Sequence, residues 1–266
     1  MLALSLVAPI CAAEGVPENV VSLNICTDQL LMLLGQPEQI GSVTFLARDP
    51  VLSALADAAG AYPINHGLAE EVIRARPDLV LASQYAARTT VLLLERLGYR
   101  VALIPPAFTV EQIRANLKQV GELLGQRARA GELITALDAE LAELAGAETG
   151  SHGVFTDYEV NSVVAGQGSL LASLAHQAGY ELLGERLGIQ GAGQISLETL
   201  LLAQPDLIEL GHAWNESPSL ASETLRHPAL ATMLAHTPSV SIPDAWWQCG
   251  LPVSLNVVAL LKAAAP

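Results

Sequence analysis

Short β-branched or leucine-rich runs alternate with helix-period stretches along most of the chain. Val20 to Leu23, Ile40 to Phe45, Leu79 to Ala82 and Val101 to Ile104 read as buried strands in the first half. Between them lie helices with Leu30, Leu31, Leu33 and Leu34 on one face, and a stretch from Tyr85 to Leu97. From Val110 to Ala145 the pattern is helical throughout. Ile113, Leu117, Val120 and Leu124 form one stripe, and Leu133, Leu137, Leu141 and Leu144 form another after Gly125. The grammar then resumes with strands at Gly153 to Phe155, Leu207 to Leu210 and Val240 to Ile242, and helices at Leu170 to Ala178 and Pro252 to Ala264. Strands alternating with helices imply mainly parallel sheets whose functional loops gather at the C-terminal strand ends.

One phrase occurs twice. Glu70 stands seven residues before Pro77-Asp78-Leu79-Val80, and Glu198 seven residues before Pro205-Asp206-Leu207-Ile208. In each copy the glutamate opens an apolar-periodic helix, Pro-Asp breaks it, and a buried strand follows. The copies are too far apart for a solenoid repeat. They predict two lobes of similar build, with the continuous helix from Arg127 as a stiff connector.

Composition narrows the class. The chain has 266 residues, 51% apolar and 15% charged, as expected of a folded protein. A formal charge of −14 argues against a nucleic-acid partner, because phosphate binding needs a basic surface. Met1 to Ala13 is a short apolar run ending Cys11-Ala12-Ala13, with small residues at −3 and −1 for a cut after Ala13. It lacks the usual basic n-region, and Ile10 is too bulky for a lipobox. An exported protein is expected. Cys26 and Cys249 then remain as the mature pair, and spacing does not place them together.

Enzyme signatures are missing from the sequence: there is no G-x-S-x-G, H-E-x-x-H or C-x-x-C. No metal is expected. His66 and His212 are candidate metal contributors, although single loop histidines are more often simply polar. Gly166-Gln167-Gly168-Ser169 before a helix reads as an ordinary helix entry, since both the dinucleotide fingerprint and the P-loop lysine are missing. Asn24 to Asp28 opens the first helix, with Cys26 or Thr27 as its cap. Polar and aromatic residues recur at the strand ends: Asn24, Arg48, His66, Tyr85, Tyr158, Trp214, Trp246 and Trp247. The three tryptophans fall in two late loops, suited either to walling a cleft or to plugging the core.

Taken in order, these features resemble the periplasmic substrate-binding proteins with a rigid helical backbone that serve cobalamin and iron-siderophore ABC importers. The resemblance runs from Val20 to Leu261. It is carried by the opening strand with Ser22-Leu23-Asn24, both glutamate phrases, the long middle helix and Trp246-Trp247-Gln248-Cys249-Gly250-Leu251-Pro252. It implies an α/β fold of two Rossmann-like lobes: residues 14–125 and 147–266, joined by the helix 126–146, after a signal segment 1–13. The ligand cleft would lie between the lobes.

The implied function is capture of a metal-chelate nutrient, a corrinoid or ferric siderophore, by a periplasmic monomer without catalysis or cofactor. The implied partner is an ABC permease dimer with its ATPase subunits, docked through Glu70 and Glu198; Glu71 is a possible substitute for Glu70. Asn24, Cys26, Arg48, His66, Tyr85, Tyr158, Trp214, Trp246, Trp247 and Cys249 are the implied ligand-binding residues. The resemblance also puts both cysteines near the cleft on opposite lobes, as a disulfide, as inert thiols or as a ligand-contacting pair. Arg48 and Arg88, with Arg226 behind them, are the only plausible cleft arginines, few for an anionic siderophore. A free-metal or haem binder of the same fold, or a two-lobed enzyme with a cofactor in the cleft, is the alternative.

Overall fold

The computed structural model describes residues 15–85, 87–146, 150–210 and 224–265. The expected export segment 1–13, His212 and Trp214 lie outside the described residues. The first half runs β1 (Val20–Ser22), α1 (Ile25–Leu34), β2 (Ile40–Thr44), α2 (Ala56–Ala59), β3 (Ile64–Asn65), α3 (Ala69–Ala75), β4 (Leu79–Ser83), α4 (Arg88–Arg96), β5 (Val101–Ile104) and α5 (Val110–Leu123). Its five strands are all parallel, in the order β3-β2-β1-β4-β5. The order reverses between β1 and β4, which opens a crevice at their C-terminal ends.

A 20-residue helix, α6 (Arg127–Gly146), leads to the second half and is about 30 Å long at 1.5 Å per residue. There follow β6 (Val154–Tyr158), β7 (Val163–Ala165), α7 (Leu170–Gln177), β8 (Glu181–Leu182), α8 (Leu183–Arg186), β9 (Ala192–Gln194), α9 (Leu197–Ala203) and β10 (Leu207–Leu210). The chain closes with α10 (Pro228–Leu234), β11 (Ser239–Val240), α11 (Asp244–Trp247) and α12 (Leu255–Ala263). A parallel sheet β11-β10-β6-β8 forms the second lobe, and β7 and β9 pair antiparallel beside it.

The repeated phrase closes each of its helices on a left-handed residue, Arg76 at φ +50° and Gln204 at φ +46°. The aspartate after each proline then clamps the first strand of its own lobe. Asp78 accepts from the Glu18 and Asn19 N–H groups at 2.9 Å, and its own N–H reaches the Asn19 carbonyl. Asp206 accepts from the Val154 N–H at 2.7 Å, with its N–H on the Val154 carbonyl. Gly153 is required at that junction, because a Cβ there would collide with the Asp206 carboxylate.

One apolar core runs through both lobes. Leu31 and Leu34 of α1, Ile113 and Leu117 of α5, and Leu137 of α6 join Leu171 of α7 and Val258 and Leu261 of α12 in a single cluster. The outer face of each sheet is covered separately, by α3 and α4 in the first lobe and by α8, α9 and α10 in the second. A disulfide joins Cys26, at the start of α1, to Cys249, just before α12. Of the readings the sequence left open for this pair, the structure selects the covalent one.

Two local readings change, and one acid proves to be part of the core. Asn24, rather than Cys26 or Thr27, caps α1 by accepting from the Cys26 N–H at 2.9 Å. Asp28, in the first turn of α1, is wholly buried and accepts from the Thr44 N–H and hydroxyl. Burial pushes its carboxyl up to about 6, against hydrogen bonds from Ser22 and Thr44 that pull it down. The loop expected from Thr156 is a continuing strand as far as Tyr158, because β10 pairs along its full length.

Two predictions follow from these contacts. A chain starting after residue 13 titrates no free thiol before reduction and two after it in denaturant, since Cys26 and Cys249 are paired. Replacing both with serine lowers unfolding free energy by about 2–4 kcal/mol in urea titration, and an unchanged midpoint would refute the tie. The native state also holds the Asp28 proton more tightly than the unfolded chain does. The stability this contributes is therefore complete below about pH 4 and lost as the pH rises through about 6. Asp28→Asn keeps an acceptor for Thr44 and flattens the fall of the urea midpoint in that window; equal slopes in variant and wild type count against the assignment.

Candidate functional site

A cavity of about 730 Å³ opens where the C-terminal strand ends of the two sheets face each other. The loops placed there follow from the parallel topology. From the first lobe come Asn24 and Cys26 after β1, Ser83 at the end of β4, and the turn Ile104 to Phe108 after β5. Asn116 on α5 donates to the Pro105 carbonyl at 2.8 Å, and the Phe108 N–H donates to Gln112 at 2.7 Å, so this proline-rich turn is fixed from beneath. From the second lobe come Glu159 after β6, Gln167 to Leu171 at the entry of α7, and Asp244 with Trp247 to Leu251 around α11. Ser169 caps α7 by accepting from the Ala172 N–H, so the glycine-rich turn serves as a helix entry and as cleft wall at once.

The two lobes meet at the cavity floor. The Cys26–Cys249 bond lies in its lining. Gly250 rests so close to Ala107 that a Cβ would strike the Ala107 side chain and carbonyl. Trp247 lines the cavity and also packs on the central core, with its indole N–H buried and without a hydrogen-bond partner among the described residues.

Electrostatically the wall is acidic. No lysine, arginine or histidine lines the cavity among the described residues, while Glu159 and Asp244 do. Asp157 on β6 is held by the Ala165 N–H at 2.9 Å on both oxygens, and burial pushes its carboxyl up to about 6. Burial, reinforced by the Asp157 and Asp244 charges, raises Glu159 to about 7. Burial, with the Glu159, Asp157 and Asp244 charges added, raises Glu209 on β10 to about 9. For Asp157 the cause is burial alone, and for the two glutamates it is burial beside other carboxyls.

Of the residues singled out in the sequence, the structure brings Asn24, Cys26, Trp247 and Cys249 together around the cavity. Trp246 packs against the central core beside them, outside the lining. Four others stand elsewhere. Arg48 is committed to the carbonyls of Ala59 and Tyr62. His66 stacks on Phe45 at 5.3 Å and meets the Glu71 carboxylate at 3.0 Å. Tyr85 is 75% exposed in the turn after β4. Tyr158 is fully buried as the last residue of β6, with its hydroxyl on Ser162 at 2.9 Å. Arg88 and Arg226 also lie outside the lining.

Phe108, Asn116, Gln167, Glu159 and Asp244 line the cavity but were not singled out as ligand residues. The strand-end rule already applied to Asn24 would have found Phe108 and Glu159 had it been used after β5 and β6. Asn116 gives no such signal, because it sits in mid-helix.

Glu70 and Glu198 occupy the first turns of α3 and α9, both exposed. The backbone N–H of Glu198 itself, then the Ser196 side chain, hold the Glu198 carboxyl below the usual range. Glu71 is not interchangeable with Glu70. The His66 side chain and N–H both engage it, and those bonds lower its carboxyl.

Comparison with known proteins gives this geometry a context. A family model described as periplasmic binding protein matches residues 20–237. A cobalamin-binding protein of Halobacterium salinarum is 25% identical over 214 residues, covering 79% of this chain and 58% of its own length. The chain thus spans little more than half the length of the curated relatives it matches. The periplasmic heme-binding protein RhuT from Roseiflexus sp. RS-1 in apo form gives a TM-score of 0.75 at 22% identity, covering 94% of this chain and 99% of that one. The periplasmic vitamin B12 binding protein BtuF of Vibrio cholerae gives 0.70 at 16% identity, covering 94% and 97%. At these identities the structural likeness is one of fold. The family match runs from β1 through the long helix and past α10, and by it the chain belongs to the periplasmic binding protein family, a family of binding proteins rather than enzymes.

Proposed function

We propose that the chain captures a corrinoid-class metal chelate in this cleft and presents it to an ABC permease. The reading is carried by the composition of the cleft wall, which is apolar and acidic and holds no cationic side chain among the described residues. Haem propionates and anionic ferric siderophores would meet carboxyls there rather than counter-charges. Haem iron also needs an axial His, Tyr, Met or thiolate. None lines the cavity among the described residues, and both cleft cysteines are spent in the disulfide. A corrinoid brings its own equatorial metal ligands and an amide-fringed, uncharged edge. It asks for apolar faces such as Trp247, Phe108 and Leu251, with neutral partners such as Asn24 and Gln248. The Halobacterium relative's name supports the same class.

In this reading residues 14–125 and 147–266 act as the two jaws and 126–146 as their connector, after an export segment at 1–13. Glu70 and Glu198 are the docking residues, one at an exposed helix start on each lobe, where a carboxylate is well placed for a permease arginine.

Titration followed by tryptophan fluorescence is expected to show saturable binding of cyanocobalamin with Kd below about 1 µM, and weaker or no binding of haem, a ferric catecholate siderophore, Zn²⁺ and Mn²⁺. Saturation by haem or by a free cation alone overturns the corrinoid reading. The double substitution Glu70→Ala, Glu198→Ala is expected to leave that Kd within about twofold while reducing uptake in a transport assay by at least about tenfold, since exposed charges act on the partner and not on the cleft. Undiminished uptake removes their docking role.

A further inference from the structure

Neutral polar side chains from both lobes line the cavity with an oxygen already spent on the protein. On the first lobe, Asn24 Oδ1 accepts from the Cys26 N–H at 2.9 Å and so opens α1. The Asn24 carbonyl also accepts from the Asp28 N–H and from the Ser22 and Thr27 hydroxyls, which fixes the residue in place. On the second lobe, Gln167 Oε1 accepts from the Gln190 side-chain amide at 2.7 Å. The Gln167 backbone is held on both sides, its N–H by the Ile189 carbonyl and its carbonyl by the Gly191 N–H. Ser169 Oγ accepts from the Ala172 N–H, as Ser83 Oγ does from the Tyr85 N–H.

An amide or hydroxyl whose oxygen is engaged keeps its N–H or O–H for another partner. Neither the Asn24 nor the Gln167 amide nitrogen has a hydrogen-bond partner among the described residues. Asn24 is half-buried and Gln167 exposed, so both amides can be reached from the cavity they line. The cleft thus meets its contents with neutral donors from both lobes. An anionic edge could use such donors too, but Glu159 and Asp244 in the same wall oppose it. What fits is an uncharged edge rich in carbonyl oxygens.

We propose that Asn24 and Gln167 are a specificity-determining pair, each donating an amide N–H to a neutral carbonyl oxygen of the cargo, one from each lobe. The inference rests on the reading of this cleft as a corrinoid site. It goes further by naming the groups recognised, the oxygens of the peripheral carboxamides, and the residues that recognise them. Each amide is already oriented by its own bond within the protein, so little side-chain freedom is lost when cargo binds. A contact with each lobe also makes the cargo a bridge that favours the closed cleft.

The test exchanges single groups in the whole protein. Asn24→Asp keeps the oxygen that caps α1, and Gln167→Glu keeps the one that meets Gln190, while each replaces the N–H donor with an acceptor. Asn24→Ser and Gln167→Met remove the amide donor without adding charge. The probes are cyanocobalamin and an uncharged ferric trihydroxamate built on a cyclic peptide, which also presents amide carbonyls, read by tryptophan fluorescence at neutral pH. Kd is expected to rise at least about tenfold in each acidic variant and at least about threefold in each neutral one. The urea midpoint of Asn24→Asp is expected to match or exceed that of wild type, since aspartate caps a helix as well as asparagine. A residue that served only as a cap would leave Kd unmoved in that variant.

Weaker cyanocobalamin binding in every variant supports both readings. The same losses for the trihydroxamate, with no cyanocobalamin binding by wild type, support the donor pair and sink the corrinoid assignment. Cyanocobalamin binding that every variant retains leaves that assignment standing and overturns the pair. Loss in the acidic variants alone also overturns it, because added charge then explains the effect. Wild type that binds neither probe overturns both.

Discussion

The arrangement depends first on a core that the two lobes share. Helices α1 and α5 on one side and α7 and α12 on the other bury their leucines against α6 and one another, rather than closing two separate interiors. Each wholly buried leucine in that seam is worth about 1.5–3 kcal/mol, and close packing means that sliding one lobe against the other would open voids along the whole seam. The Cys26–Cys249 bond adds a covalent tie at the same place, on the cavity floor. The cleft is therefore held at its base and free only at its mouth. Cargo can be admitted by small shifts of the rim, whereas wider opening needs a partner that favours the open state.

The same low dielectric that makes the core stable explains the unusual carboxyls. Asp28 and Asp157 are both buried and both raised, but each is matched by donors: Thr44 for the first and the Ala165 N–H for the second. Their bonds tie helix α1 to strand β2 and strand β6 to the short strand β7 that follows it, so these acids serve the fold. Glu209 is buried as deeply but sits beside other acids: burial first, then the Glu159 and Asp157 charges, push its carboxyl up, and the Ile242 N–H pulls it only part of the way back.

Much of this was legible in the sequence. The parallel sheets follow from apolar runs that alternate with helices, the long helix from an uninterrupted leucine stripe, and the lobes from the repeated glutamate phrase. The cavity's position follows from the rule that loops gather at strand ends. What periodicity does not reveal is how far each strand extends. Tyr158 reads as a loop residue until β10 is seen to pair alongside it, and that pairing carries its ring into the interior. Arg48 and His66 have side chains suited to ligands, but close neighbours claim them first: the Ala59 and Tyr62 carbonyls in one case and Glu71 in the other. Residue type announces capacity. Only three-dimensional competition decides whether it is spare.

The repeated phrase links the fold of each lobe to the placement of one exposed carboxylate in a single short segment. At its far end, a left-handed residue and Pro-Asp stop the helix, and the aspartate fastens the entry of the lobe's first strand. That strand, β1 or β6, runs to the cavity and delivers Asn24 on one side and Glu159 on the other. At the near end, the glutamate stands in the first turn of the same helix, facing solvent. The position of each exposed carboxylate is thus fixed, through one helix of seven residues and one clamped strand, relative to the cleft wall of its own lobe. A partner gripping both carboxylates would set the distance between two surfaces that are each rigidly attached to half of the cavity. Because the shared core resists that motion, force applied at the two glutamates would be felt at the cleft mouth rather than dissipated in the loops.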